Sequence, residues 1–326
     1  VHEKNGRRTP APHTPSTRTR TLRPLPAVLA GAGALALGAG LLAAVSAEPT
    51  DAVLTSAEEG AAARTGVLFD DFHYTAHDDP AVGRNGWTVR SGGGGPGVPG
   101  AVWDPANVTF EGSGGETVMR LESHTDESRT EQTEVYHERK FHEGTYAARV
   151  RFTDAPTTGP DGDHVVQTFF SITPLDFPMD PQYGEIDFEY LPNGGWGGNE
   201  LSMYMTTWDT YRSDPWEAVN VHDVIEESHE GWRDLVFTVA DEQVTYYIDG
   251  RQVARHGQPY YPETPMSVNF NLWFIADGLL GSPEHRSYEQ DVDWVFHAKD
   301  RVLSPAEVQY EVGALRAEDV DFVDTV

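Results

Sequence analysis

No cysteine occurs among the 326 residues. Disulfides, thiol nucleophiles and thiolate metal sites are therefore excluded, and core burial alone must hold the fold. Basic residues are scarce. The chain has 23 Lys and Arg against 52 Asp and Glu, a formal net charge of −29. Such a surface repels nucleic acid and anionic membranes, so neither is expected as a partner. A neutral ligand meets no such barrier, whereas an anionic polysaccharide would need a local basic groove. No HxH or HExxH spacing occurs among the 13 histidines, so no catalytic metal is implied. The four consecutive glycines of Arg90–Gly100 lack the strand-to-helix setting and the Lys-Ser/Thr of a phosphate cradle, and read as a loop.

Only one long apolar run exists, and it is near the N-terminus. Ala27 to Ala44 has no charge, follows a segment carrying Lys4, Arg7, Arg8, Arg18, Arg20 and Arg23, and precedes the small residues Val45-Ser46-Ala47. This is the pattern of a secretory signal cleaved after Ala47. A permanent anchor is the competing reading, but the run is rich in Ala and Gly and only weakly hydrophobic. Residues 1–47 are thus expected to be a signal peptide, 48–65 a flexible linker and 66–326 one domain. The mature chain is expected to be extracellular, monomeric and free of the membrane once the signal is removed. Loss of the basic segment makes it more acidic still.

Turn formers and rings are plentiful: 32 Gly, 22 Pro, 8 Trp, 13 Tyr and 14 Phe. From Val67 onward, short apolar or alternating runs recur between Gly, Pro, Asp and Asn. They include Val67–Phe72, Thr145–Phe152, Val165–Ile172, Glu185–Tyr190, Asp234–Val239, Ser267–Phe274 and Val292–Phe296. A dozen such segments without a long helical pattern predict an all-β fold of two packed antiparallel sheets. Asp249-Gly250 predicts a hairpin turn. Ser304-Pro305 predicts the N-cap and first residue of a short C-terminal helix.

The run Gly184-Glu185-Ile186-Asp187-Phe188-Glu189-Tyr190 alternates strictly. On a strand it sends Ile186 and Phe188 to the core and the three acids to the other face. Like charges along one face repel, Asp and Glu are poor strand formers, and no Lys or Arg lies between Arg151 and Arg212. Alternation alone suits catalysis or a solvated polar face equally. The spacing is suggestive: Cα atoms of Glu185 and Glu189 would lie ~13 Å apart. Leaning side chains can bring the carboxyls toward the ~5–5.5 Å of retaining glycosidases. Three adjacent acids cannot all ionise cheaply, so one should keep its proton near neutral pH.

Glu185-Ile186-Asp187-Phe188-Glu189 resembles the signature of family 16 glycoside hydrolases. Other pieces agree in order: Phe69-Asp70-Asp71-Phe72, Phe141 to Val150, Tyr246-Tyr247-Ile248-Asp249-Gly250, Asn271-Leu272-Trp273 and Val292-Asp293-Trp294-Val295. The resemblance implies a concanavalin-like jelly-roll β-sandwich with a cleft across its concave sheet. It implies Glu185 as nucleophile, Glu189 as general acid/base and Asp187 as the carboxylate that assists them. It also allows a structural calcium on the convex face, with Asp70 or Asp293 as ligands, and requires no cofactor for catalysis.

A polysaccharide cleft should carry aromatic rings. Trp103, Tyr183, Trp196, Tyr204, Trp208 and Trp273 are candidates, with Trp273 and then Trp208 foremost. Asn271 alternates with Trp273 on the same strand. Glu134, in Gln132-Thr133-Glu134-Val135-Tyr136, resembles a family glutamate placed against sugar, but Tyr136 stands where a basic residue often follows. The usual Trp-Pro before the signature is also missing, with Phe177 to Tyr183 in its place. The signature has no extra residue between Asp187 and Glu189, which looks closer to lichenases and xyloglucan transglycosylases. The expected activity is a retaining endo-β-glycosidase on a β-1,3 or β-1,4 glucan. A transglycosylase and a non-catalytic glycan-binding module are the alternatives.

Overall fold

The computed structural model describes residues 65–113 and 116–326. The expected signal, and the linker up to residue 64, lie outside the described residues. Among the described residues, no helix is long and apolar enough to cross a membrane.

Seventeen strands are found among the described residues. In chain order they begin with β1 (Val67–Asp70), β2 (Trp87–Val89), β3 (Val102–Trp103), β4 (Val108–Ser113), β5 (Glu116–Thr125) and β6 (Thr130–His137). There follow β7 (Gly144–Phe152), β8 (Val165–Ile172), β9 (Glu185–Leu191), β10 (Ser202–Ser213), β11 (Trp216–Glu226) and β12 (Gly231–Ala240). The last are β13 (Gln243–Ile248), β14 (Arg251–Gly257), β15 (Ser267–Phe274), β16 (Arg286–Lys299) and β17 (Phe322–Asp324). A short helix α1 (Pro80–Arg84) precedes β2, and α2 (Pro305–Ala317) follows β16.

Apart from the two-residue β3, which runs parallel to β6, the strands pair antiparallel in two sheets. One runs β2-β6-β15-β8-β9-β10-β11, so β9 has a paired neighbour on each side. The other is built on β16. That strand pairs with β5 along its first half and with β1 along its second, and with β7 on its opposite side. From β7 the sheet continues through β12 and β13 to β14. The pairing of β5 with β6 links the two sheets. This is the two-sheet sandwich that the segment pattern predicts, with the jelly-roll form that the resemblance implies.

Alternation sets the register. Ile186 and Phe188 of β9, Phe169 of β8, Met203 and Met205 of β10, and Phe270 and Leu272 of β15 all enter the main core. Phe169 meets Phe237 of the opposite sheet at 5.6 Å between ring centroids. Full burial of each such side chain contributes about 1.5–3 kcal/mol. A one-residue slip would expose all of them, so the face carrying the acids is fixed by the face that does not.

A register shift between Val292 and Trp294 on β16 changes which face the strand presents. Val292 enters the main core, while Trp294 and Phe296 face outward and are covered by Val308, Val312 and Leu315 of α2. That helix starts as the sequence predicts, with Ser304 as N-cap, Pro305 at the first position and Glu307 closing a capping box. The predicted hairpin turn forms at Asp249 and Gly250, with φ of 48° and 79°. Strand β11 was not foreseen. It is an edge strand paired with β10 alone, and since none of its residues is buried, no core face imposes alternation on it.

Candidate active site

Each acid of β9 acquires its neighbours from register. On β8, Ile172, Phe170 and Thr168 stand opposite Glu185, Asp187 and Glu189. On β10 the partners are Trp208, Thr206 and Tyr204. These residues share one face and line a cleft of about 950 Å³. Glu185 and Glu189 stay partly exposed to it, while Asp187 is buried between them.

A bulge on β10 extends the cleft. Register shifts between Trp208 and Thr210, so Asp209 is the extra residue. Without it, Thr210 would follow Trp208 on the cleft face. With it, Thr210 is buried and Tyr211 lines the cleft instead. Tyr211 then contacts Trp208, Tyr183 and Trp216 with ring centroids 5.9, 5.2 and 5.9 Å apart. Sequence reasoning missed Tyr211 and Trp216. The first needs the bulge, and the second sits at the start of the unforeseen edge strand.

The three acids receive unequal hydrogen bonds. The Tyr183 hydroxyl donates to Glu185, and Trp208 Nε1 donates to Asp187 Oδ2 at 3.1 Å. No donor reaches Glu189 among the described residues. Burial raises all three carboxyls above the usual range. It lifts Glu185 to about 7, although donation from Tyr183 and from Asp187 holds it down. Glu189, with burial and the nearby charge of Glu185 and nothing opposing them, rises to about 8. Asp187 is driven well above an ordinary aspartate by burial and then by the charges of Glu185 and Glu189. The hydrogen bonds therefore favour the ionised form more at Glu185 than at Glu189, and the crowding of three acids raises the group as a whole. Tyr183, held protonated by burial and by Glu185, remains a donor.

Beyond β8 the floor becomes polar. Asn271 of β15 faces Glu134 of β6. Its carboxamide oxygen accepts from the Thr168 hydroxyl at 2.7 Å, and that hydroxyl accepts from the Asn271 backbone N–H at 3.0 Å. Glu134 is joined by Arg90, whose guanidinium reaches its carboxylate at 2.5 Å. The basic partner that Tyr136 does not provide thus comes from another part of the chain. Arg90 also donates to the Gly95 carbonyl at 2.7 Å and lies 4.1 Å above the Trp103 ring. Burial raises the Glu134 carboxyl, and the Arg90 hydrogen bond and charge oppose the rise.

Two aromatic expectations need correction. Trp103 does not line the cleft. It is fully buried under Arg90, and its indole donates to the Gly94 carbonyl at 2.8 Å. It packs with Val166, Leu191 and Trp273 and anchors the glycine-rich loop. Tyr183 does line the cleft, but it is 3% exposed and its hydroxyl is committed to Glu185. That geometry suits tuning a carboxylate better than offering a ring face to sugar. Trp273 and Trp208 both line the cleft, Trp273 nearly buried and Trp208 partly exposed.

Asp70 and Asp293 do not fit a calcium ion. Asp70 is buried and accepts from the Tyr74 hydroxyl, from Trp87 Nε1 at 2.8 Å and from Phe72 N at 2.7 Å. Burial raises its carboxyl to about 7, which favours the neutral form. Asp293 is held by Arg316 at 2.7 Å and lies 3.4 Å from Arg149. Hydrogen-bond donors and guanidinium groups occupy the oxygens a hard cation would need.

No protein-family model matches the chain, and no curated protein matches it. Solved structures do. A β-glucanase of Bacillus licheniformis superposes with a TM-score of 0.52 at 18% identity, over 72% of this chain and 98% of that one. A family 16 endo-glucanase from Bacteroides ovatus, in complex with G4G3G-2F-DNP, gives 0.54 at 16% identity, over 70% and 98%. The κ-carrageenase of Pseudoalteromonas carrageenovora, in complex with a κ-carrageenan oligotetrasaccharide, gives 0.52 at 15% identity, over 71% and 92%. The chain therefore has the fold of family 16 glycoside hydrolase structures. At these identities the likeness is one of fold.

Proposed function

We propose that this chain is a family 16-type retaining endo-β-glycosidase that hydrolyses a neutral β-glucan outside the cell. The carrying observation is the unequal environment of three carboxyls on one strand at the floor of a cleft. Glu185, held by Tyr183 and Asp187, is the acid best able to ionise. Glu189, with no donor, keeps a proton. That is the division of labour double displacement requires.

Glu189 protonates the glycosidic oxygen while Glu185 attacks the anomeric carbon, forming a glycosyl ester and releasing the leaving chain. Glu189, now ionised, takes a proton from water, and the hydroxide displaces Glu185. Asp187 shares its proton with Glu185 and returns it as the ester forms and breaks. A cleft crossing several strands suits internal sections of a polymer. Charge supports a neutral substrate: the floor is acidic, and the Arg90 guanidinium is already paired with Glu134. Oligosaccharide complexes among the structures of like fold support a polysaccharide ligand. Export rests on residues 1–47, and a secreted protein beginning at Glu48 would test it.

Reducing-end release from barley β-glucan, laminarin and xyloglucan, compared between the native chain and Glu185→Gln, tests the activity. Native release on at least one polymer, abolished in the variant, is the expected result. If both proteins are equally silent while still binding a glycan, the binding-module alternative replaces this one.

A further inference from the structure

The loop Asn193-Gly194-Gly195-Trp196-Gly197-Gly198 follows β9, and its Trp196 shares the cleft with Glu189. Trp196 lines the cleft and is 54% exposed, so core packing does not explain it. Its backbone lies in the left-handed region, with φ of 51°, which a bulky side chain rarely adopts. Such strain persists only where the surroundings over-determine it.

Here they do. The Asn193 carboxamide donates to Asp161 Oδ1 at 2.8 Å and to the Asp163 carbonyl at 3.0 Å. Gly195 rests on Ile275 and Leu191 so closely that an added Cβ would lie 2.3 Å from Ile275 Cδ1. At Gly198 an added Cβ would lie 2.1 Å from the Tyr204 hydroxyl oxygen. The glycines let the loop descend onto the sheet while Trp196 stays out. The indole leans on Tyr204 at 6.0 Å and 74°, and on Trp273 at 6.1 Å and 44°. Tyr204 is the cross-strand partner of Glu189.

We infer that Trp196 is a stacking platform for a pyranose ring, forming the wall of the cleft on the proton-donor side. The inference rests on the glycosidase reading and gives one of its aromatic candidates a definite place and role. Glu185 and Glu189 must flank the reacting sugar, so the glycan crosses β9 and its ring faces turn toward the two ends of that strand. An indole raised beside Tyr204 meets such a face. Axial C–H groups of a β-linked glucose unit are apolar and complement the π-face.

The experiment is calorimetric titration of laminaritetraose and cellotetraose into Glu185→Gln, with and without Trp196→Ala, alongside kinetics of each single variant on barley β-glucan. Loss of the indole should weaken binding about ten-fold or more, raise KM more than it lowers kcat, and leave the melting temperature unchanged. Trp196→Phe should recover part of the affinity. Gly195→Ala keeps the indole but displaces the loop, and should also weaken binding. Unchanged affinity in a folded Trp196→Ala protein overturns the platform and leaves the glycosidase reading standing. If neither tetrasaccharide binds and no polymer is cut by the native chain, the glycosidase reading falls and the platform falls with it.

Discussion

Trp208 stands opposite Glu185 in the β9–β10 register, yet its indole nitrogen donates to Asp187, 3.1 Å away. The ring reaches along the strand to one oxygen of Asp187, the acid that also hydrogen-bonds Glu185. A single aromatic residue thus lines the cleft beside Glu185 and holds the neighbouring Asp187. Trp208→Phe keeps a ring and removes the donor. Its kcat should fall by roughly five- to ten-fold, the equivalent of one hydrogen bond of about 1 kcal/mol. KM should change little. Steady-state kinetics on the preferred polymer decides between this and a stacking role, in which KM would carry the loss.

The two glutamates should fail differently. Glu185→Ala removes the proposed nucleophile and should abolish turnover on every substrate. Glu189→Ala removes the proton donor, costing roughly 10²–10⁴-fold on a polymer but far less on an aryl glycoside whose leaving group needs no protonation. Azide should rescue both variants, giving an α-glycosyl azide from Glu185→Ala and a β-glycosyl azide from Glu189→Ala. The opposite assignment of anomers would exchange the roles.

On the proposed mechanism, Tyr183 should set the acidic limb of the rate profile. Donation from its hydroxyl favours ionised Glu185 against the upward push of burial. In Tyr183→Phe the carboxyl should therefore titrate higher, and the acidic limb of kcat/KM should move toward alkaline pH. The alkaline limb, set by loss of the Glu189 proton, should stay in place. A profile that moves on both limbs, or on neither, argues against this arrangement.

How much of this was readable in advance depended on distance along the chain. Glu185, Asp187 and Glu189 declare themselves because a strand repeats every two residues and Ile186 and Phe188 fix which face is buried. Their environment does not. Thr168, Tyr204 and Trp208 reach the acids through pairing of three strands, and Tyr211 reaches the cleft through one inserted residue. Arg90 meets Glu134 from 44 residues away, out of a segment that reads only as a glycine-rich loop. Trp103 misled for a related reason: aromatic character marks both a sugar platform and a buried anchor, and only the position of Arg90 over its ring separates them. Asp70 and Asp293 looked like calcium ligands until their hydrogen-bond donors and guanidinium partners were placed.

Poising Glu189 for catalysis should carry a stability cost that depends on pH. An unfolded glutamate titrates near 4.3, whereas burial and Glu185 raise the folded group to about 8. The folded state therefore holds this proton more tightly than the unfolded chain does. The penalty is absent below about pH 4, grows as pH rises between the two values, and is complete above the folded value. Glu189→Gln removes it. The variant should melt close to the native protein at pH 4 and several degrees above it at pH 8, at roughly 2–4 °C per kcal/mol for a domain of this kind. Equal melting differences at both pH values would contradict the proton assignment.

Stability elsewhere should depend on a buried pair that catalysis does not use. Asp163 and Arg286 have side chains 0% and 1% exposed, joined at 2.6 and 3.1 Å through two guanidinium nitrogens. Asp163 also accepts from Leu280 N at 2.8 Å, and Arg286 donates to the Ser282 carbonyl at 2.7 Å. The pair ties the connection between β15 and β16 to the start of β8. Arg286→Met leaves a buried carboxylate without its counter-charge, at a cost of about 3–5 kcal/mol. The same change made with Asp163→Asn should cost less, because no charge is left stranded. Thermal melts of the two single variants and the double variant measure the coupling. An Arg286→Met protein that melts within a degree of the native chain would mean that water reaches Asp163 and that the pair is not a dry one.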